Sequence, residues 1–320
     1  MIRRNIFAGM ALIALGLAAH AQDKYPSKPI KLIVGYSPGG SNDIVARIIA
    51  TRLGDSLGQA VIVENRPSTG AIVGAVVTKQ APADGYTLMI GASGPLVINA
   101  ATYASLPYSP QKDFTPISLV ANFPLIVSVK ADAKYNAMTD LISFTKENPQ
   151  LSNYASSSST FQLATEMLKE RTGMLAMHVP YKGSGDSMKS VASGETTFSM
   201  LDPGPASGAI NGKLLRGLAV TSDRRSATFP NVPTLKEQGI DLSIQFWIGL
   251  FAPAGTPGPI VKLLEAEIAK AVVHPQTVKS MAQLGLEPAS STSEAFARQI
   301  SQETASWSAL AKQKNIKAEQ

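Results

Sequence analysis

The chain contains no cysteine. That absence excludes disulfide staples, zinc–thiolate and iron–sulfur sites and any cysteine nucleophile, so the fold must rest on buried apolar surface. Charge is sparse too, at 16% of residues, and the 29 Lys and Arg against 23 Asp and Glu are scattered along the chain. Only Arg224-Arg225 and the group Lys312, Lys314 and Lys317 cluster, without interleaved aromatics, so nucleic acid is not expected as a partner. Aromatics make up 6%, and no apolar run reaches the roughly 20 residues of a membrane-spanning helix. Of the three histidines, His20 lies near the start; His178 sits in an apolar stretch and reads as a core residue, and His274 precedes Pro275 at a helix end. Neither has a partner at metal-ligand spacing, and no metal or other cofactor is called for.

What is present is a globular balance: 320 residues, 44% of them hydrophobic, with 25 Gly and 21 Pro, enough for one or two domains. Met1 to Arg4 is a short cationic start, Ile6 to Ala19 is an uncharged apolar run of fourteen residues, and Ala19-His20-Ala21 offers small residues where a signal peptidase reads. Residues 1–21 therefore read as a secretory signal peptide, cut after Ala21, which sends the mature chain to the periplasm. With no cysteine near the cut, a lipid anchor is not expected. Removal of Arg3 and Arg4 leaves 27 basic residues against 23 acidic ones.

The mature chain alternates strand and helix. Pro29 to Tyr36 is an apolar, β-branched strand broken at Ser37-Pro38-Gly39-Gly40, and Ile44, Val45, Ile48, Ile49 and Leu53 recur at helical spacing with Gly54 and Gly58 as stops. Ala60 to Glu64 and Thr87 to Ile90 read as strands around a helix at Gly74 to Gln80. The rhythm restarts with strands at Leu125 to Val129 and Ser152 to Ala155 around a helix at Thr139 to Lys146. The second of these strands enters Ser156-Ser157-Ser158-Ser159-Thr160, and a helix with a capping-box spacing at Ser159 to Gln162 follows. Strands at Met174 to Val179, Thr197 to Leu201, Leu215 to Thr221 and Ser243 to Phe251 continue, with a helix at Ser187 to Ala192. Two helices close the chain, marked by Val261, Leu264, Ile268 and Val272 and by Phe296, Ile300 and Trp307. Such alternation predicts an α/β fold with largely parallel sheets.

Two small-residue turns carry the chemistry. Gly39 to Asp43 and Ser156 to Thr160 each join the C-terminal end of a strand to a helix N-terminus, where unpaired N–H groups and the helix dipole favour an anion. A carboxylate suits such a place. Ser41, Ser156, Ser158, Ser159 and Thr160 add hydroxyl donors, and Gly39 and Gly40 allow close approach. The same residues also cap helices and make turns, and Asp43 fits a helix first turn through the macrodipole alone. Asp202 ends an apolar strand before Pro203-Gly204-Pro205, where it either accepts from a ligand hydroxyl or ammonium or braces the turn. Ser93 closes another strand but is no nucleophile elbow, because Gly-x-Ser-x-Gly fails at Pro95; Gly208 to Leu214 is no phosphate loop, because Leu214 stands where Ser or Thr must be. A serine-dependent hydrolase would need a base beside one of these serines, and neither histidine stands near a motif.

At Tyr25-Pro26-Ser27-Lys28-Pro29-Ile30, Pro38-Gly39-Gly40-Ser41-Asn42-Asp43, Val63-Glu64-Asn65-Arg66-Pro67 and Asp84-Gly85-Tyr86-Thr87-Leu88 the chain resembles a known family. His178-Val179-Pro180-Tyr181-Lys182-Gly183, Leu218-Ala219-Val220-Thr221-Ser222 and Ala252-Pro253-Ala254-Gly255-Thr256-Pro257 extend the match over almost all of the mature chain. The family is that of the exported solute-binding proteins of tripartite tricarboxylate transporters, the Bordetella uptake gene type. The resemblance implies a type II periplasmic binding protein fold, in which two α/β lobes, each a mostly parallel sheet flanked by helices, close through a hinge of two strand crossovers. The lobes are expected at 22–121 with 248–320, and at 122–247. It further implies a monomer that is not an enzyme and that presents a small organic carboxylate to membrane permease components. A role of the same cleft in signalling is the alternative. By the resemblance, the turn from Tyr36 to Asp43 and the serine-rich turn hold the carboxylate; Ser93 and Asp202 join the expected site from their places at strand ends. The chain departs from the pattern in having Tyr36-Ser37 for the usual Phe-Pro, and in a serine turn about two residues shorter, followed by Phe161. That departure is expected to reshape the distal end of the pocket.

Overall fold

In the computed structural model, which describes residues 25–181, 183–314 and 317, the apolar run Ile30–Val34 forms β1, buried at every position but Lys31. A strand buried on both faces needs cover on both sides. Ser41–Leu57 (α1) supplies one layer through Val45, Ala46, Ile49, Ala50 and Leu53, running through Gly54 and ending at the left-handed Gly58. Val61–Asn65 (β2) and Thr87–Ala92 (β3) pair with β1 in parallel, and Ile72–Lys79 (α2) lies between them in sequence. The signal-peptide segment 1–21 and Lys182 of the quoted motif lie outside the described residues.

After a helical turn at Gly94–Ile98 and the short helix Asn99–Thr102 (α3), the eleven-residue strand Phe114–Pro124 (β4) ends the first passage through this sheet. The chain then crosses at Leu125 into a second sheet, through Ile126–Lys130 (β5), Met138–Glu147 (α4), Asn153–Ser156 (β6), Ser159–Thr172 (α5), Met177–Pro180 (β7), Ser184–Ser193 (α6), Phe198–Leu201 (β8), Pro203–Asn211 (α7) and Leu215–Val220 (β9). It returns along Gln245–Pro253 (β10), followed by Gly258–Val273 (α8), Pro275–Gln283 (α9), Glu287–Pro288 (β11) and Ser293–Lys314 (α10). Three helices close the chain where two were expected, because His274-Pro275 ends one helix and starts the next.

The sheet orders are β11-β4-β10-β3-β1-β2 and β7-β6-β8-β5-β9. The expectation of mostly parallel sheets is corrected here. The β1–β2, β1–β3, β6–β7 and β6–β8 pairs are parallel, but β10 runs antiparallel to β3 and β4, as do β11 to β4 and β5 to both β8 and β9. For β5 and β10 the reason is the crossing itself: a strand that has just changed sheets enters its new sheet from the shared side and so runs against its neighbours.

Thr221 knits the two crossings together. Its N–H donates to Leu125 O at 2.9 Å, and its hydroxyl oxygen accepts from Leu125 N–H at 2.8 Å and donates to Ile244 O at 2.6 Å. Beside it, the Phe123 and Phe246 rings are 6.0 Å apart, and Phe246 stacks with Trp307 at 6.1 Å.

Candidate functional site

The glycine turn between β1 and α1 is pinned from within. Asp43, one turn into the helix, accepts from Gly39 N–H at 3.0 Å, Asn65 Nδ2 at 2.9 Å and Arg47 Nε at 3.1 Å. Burial works to raise its carboxyl, but the hydrogen bonds from Arg47, Gly39 and Asn65 outweigh it and hold it below the usual carboxylate range. Asp43 thus spends its acceptors on its own loop, and Asn65 Nδ2 ties that loop down further by donating to Tyr36 O at 3.1 Å. Gly40 caps the helix in an extended conformation without a side-chain acceptor of its own.

The serine-rich turn is built differently. Ser158, not Ser159, is the N-cap of α5, its hydroxyl accepting from Phe161 N–H at 3.4 Å; this corrects the capping-box reading by one residue. Ser159 is thereby freed to meet the opposite side of the molecule, where the Thr102 hydroxyl donates to it at 3.4 Å. Ser157 Oγ lies 3.0 Å from Ser184 Oγ. Ser156 Oγ lies 2.7 Å from His178 Nε2, because β6 and β7 are parallel neighbours in register at Tyr154 and His178. The sequence reading set both histidines apart from the serines, and this contact was missed.

The two turns meet. A Cβ at Gly94 would lie 3.0 Å from Thr160 Oγ1 and 3.3 Å from the Tyr36 hydroxyl, so the ends of β1, β3 and β6 converge on this one small residue. On the other flank the Ser41 hydroxyl donates to Asp202 Oδ2 at 2.7 Å, and Gly204 N–H donates to Ser41 Oγ at 3.3 Å. A side chain at Gly204 would strike Ser41 Oγ at 2.7 Å, which explains glycine there. Asp202 is the residue before α7, and burial pushes its carboxyl above the usual range, with Ser184 and Ser41 opposing but not cancelling that effect. Burial, and then the nearby Tyr108 and Asp202, raise the Tyr36 hydroxyl in the same way.

Of the residues expected in the site, Tyr36, Ser41, Ser159, Thr160 and Asp202 are therefore brought to one seam, with Ser93 buried at the end of β3 beside Gly94. Gly39 and Asp43 face into their own loop. Ser156 points at His178, and Ser158 is occupied as a cap. The seam is shut, with Ser41, Ser93, Ser156, Thr160 and Asp202 each exposed by no more than 5%. Surface depressions of about 540 Å³ at Tyr181, Asp186 and Lys189, and about 600 Å³ at Arg47, Thr51 and Val63, lie away from it. Gly94, Ser184 and Gly204 were not singled out from sequence, although Gly204 belongs to the quoted turn Pro203-Gly204-Pro205.

Among known proteins, the model for the tripartite tricarboxylate transporter family receptor matches residues 45–316. The protein BugT of Bordetella pertussis is 33% identical over 99% of both chains. Three solved structures superpose closely: R. palustris Rpa4515 with adipate (30% identity, TM-score 0.88, 92% of this chain and 99% of that one), the periplasmic binding protein BugD (28%, 0.85, 92% and 99%), and MatC from Rhodopseudomonas palustris with bound malate (25%, 0.82, 89% and 99%). The fold is thus the two-lobed α/β fold of periplasmic binding proteins that the sequence implied. With a matching family model that starts inside α1 and extends past Lys314, the end of α10, the chain belongs to the tripartite tricarboxylate transporter receptor family.

Proposed function

We propose that this chain is an exported solute-binding receptor that captures a small carboxylate in the seam between its two sheets and hands it to the membrane components of a tripartite transporter. The family is one of receptors and not of enzymes, so the Ser156–His178 contact is read as a brace between adjacent strands. The observation that carries the proposal is the convergence of two strand-to-helix turns on Gly94 and on the Ser41–Asp202 hydrogen bond. Helix N-termini facing one seam from two sheets suit a carboxylate, because both dipoles favour the same negative charge. The adipate and malate of two structural neighbours support the ligand class.

In this reading each sheet moves with its own helices as a lobe, bending at Leu125 and in the return before β10. Residues 1–21 direct export, and the mature protein acts as a periplasmic monomer. Among the described residues no helix is long and apolar enough to cross a membrane. Native mass spectrometry of the exported protein, followed by calorimetry with a panel of organic acids, tests the proposal. A co-purified acid and saturable heat are expected; turnover of the acid, or no heat from any of them, overturns it.

A further inference from the structure

Asp202 stands between the two turns. Ser41 donates to its Oδ2 from the glycine-turn side. Ser184, whose hydroxyl lies 3.0 Å from Ser157 Oγ of the serine-rich turn, stands on the other side, and hydrogen bonding from it and from the Ser41 side chain and backbone works against the burial of the carboxyl. The Tyr36 hydroxyl is close enough to respond to its charge. The residue is 5% exposed, yet its second oxygen, Oδ1, is buried without a hydrogen-bond partner among the described residues. Asn42 Oδ1, next to Ser41, is a second buried acceptor in the same condition.

A buried acceptor left without a donor is expensive, and more so when it carries charge. Such an atom in a native protein calls for a partner that arrives with function. To an ionised Asp202 a bare carboxylate cannot be that partner, since it brings only acceptors and a like charge. A guest that satisfies both the helix N-termini and Asp202 presents its carboxylate to the first and an N–H or O–H to the second.

We infer that Asp202 is a selectivity-determining residue whose free Oδ1 accepts a hydrogen bond from the ligand, so that the receptor prefers carboxylates bearing an amino or hydroxyl group over the unsubstituted acid. This rests on the carboxylate reading and narrows its substrate class. It also gives the Ser41 hydrogen bond a second purpose: by tying Oδ2 down, Ser41 aims Oδ1.

The test is calorimetry at neutral pH on the mature chain, unfolded and refolded to strip any co-purified acid. The probes are matched sets from three to six carbons, each an unsubstituted acid with its 2-hydroxy and 2-amino forms: succinate with malate and aspartate, glutarate with 2-hydroxyglutarate and glutamate, and so on. In the set that binds, a substituted form is expected to bind at least tenfold more tightly than its parent acid, and comparison of the two substituted forms identifies the donor. Asp202→Asn keeps an oxygen for Ser41 but turns N–H groups toward the ligand, and should erase that preference while retaining the unsubstituted acid. Equal or tighter binding of the unsubstituted acid by the parent protein overturns the inference without need of any variant. So does a preference that survives in an Asp202→Asn protein whose circular dichroism and melting show it folded, and so does binding of the unsubstituted acid that weakens as pH rises, the mark of a protonated Asp202 acting as donor. Binding of carboxylates without preference sinks this inference alone, whereas no binding in any set sinks the carboxylate reading with it.

Discussion

The Ser41 hydroxyl donates to Asp202 Oδ2 at 2.7 Å, joining residues 161 positions apart that follow strands of different sheets. Both partners are buried, and Ser41 Oγ also accepts from Gly204 N–H. One hydroxyl therefore links the start of α1 to the start of α7 and works as a latch between the halves.

Ser41→Ala should weaken that latch. A hydrogen bond to a charged group contributes about 1.5–3 kcal/mol, and its loss here leaves both the carboxylate and the Gly204 N–H short of a partner. Affinity for the bound acid is expected to fall roughly 10- to 100-fold. Small-angle scattering of the unliganded variant should show a larger radius of gyration than the parent. Unchanged affinity together with unchanged scattering would show that the contact does not hold the closed form.

Thr221 is the corresponding device at the hinge. Replacing it with Val keeps the shape but removes the hydroxyl that accepts from Leu125 N–H and donates to Ile244 O. The backbone ties remain, Thr221 N–H to Leu125 O and Ile244 N–H to Thr221 O, so both strand crossings stay joined while the Leu125 N–H and the Ile244 carbonyl each lose the hydroxyl. Unfolding in urea should cost the variant about 1–3 kcal/mol relative to the parent, the range for a buried polar group left unpaired. A loss within measurement error would mean the surrounding apolar packing, Phe123 and Phe246 included, carries the hinge by itself.

How much of this is written locally in the chain can be seen strand by strand. The β1, β2 and β3 runs are short, apolar and bounded by Gly or Pro, so each announces itself. Phe114–Pro124 does not, because Pro116 and Pro124 mark it as a poor strand; the ladder tolerates them because the β4–β10 register shifts at Leu250/Phe251, where Phe251 faces Pro116. Strand direction was misread because it is fixed by a return from the other sheet more than a hundred residues later, which no local period reports. The two turns were legible because glycine and serine at a strand-to-helix junction are local signals. The roles of Ser184 and Gly204 were not, since each depends on a partner delivered by the fold. Asp43 shows the reverse case: its helix-start position was legible, but its commitment to Gly39, Asn65 and Arg47 came only with the structure.

That commitment predicts a pH dependence. The folded carboxyl of Asp43 titrates below its ordinary value of 3.8, so its contribution to stability is present in full above that value and is lost as pH falls through the lower, folded one. Asp43→Asn should cost about 1–2 kcal/mol at neutral pH, because it weakens the hydrogen bonds from Arg47, Gly39 and Asn65 together, with the Arg47 ion pair discounted because that side chain is 54% exposed. Urea melts of parent and variant should converge as the pH is lowered through the parent's folded value. A gap that stays constant into strong acid would mean the carboxylate charge contributes nothing.

Phe161 follows the serine-rich turn, where a departure from the family pattern is expected, and its surroundings bear on what that departure would do. Its ring lies 5.8 Å from Phe246, which stacks in turn on Trp307, so it rests against the β10 return rather than standing free. It is half-buried, and truncating it removes an aromatic contact between α5 and the hinge worth about 0.5–1.5 kcal/mol beyond the lost apolar area. Phe161→Ser should therefore lower the melting temperature by a few degrees. If the ring also bounds the distal end of the pocket, the same variant should reorder the acids by length, with longer acids gaining relative to shorter ones. Parallel titrations of parent and variant with acids of three to six carbons decide the matter. A lower melting temperature with an unchanged ligand order would assign Phe161 to the hinge alone and return the question of ligand length to the residues around Gly94 and Thr160.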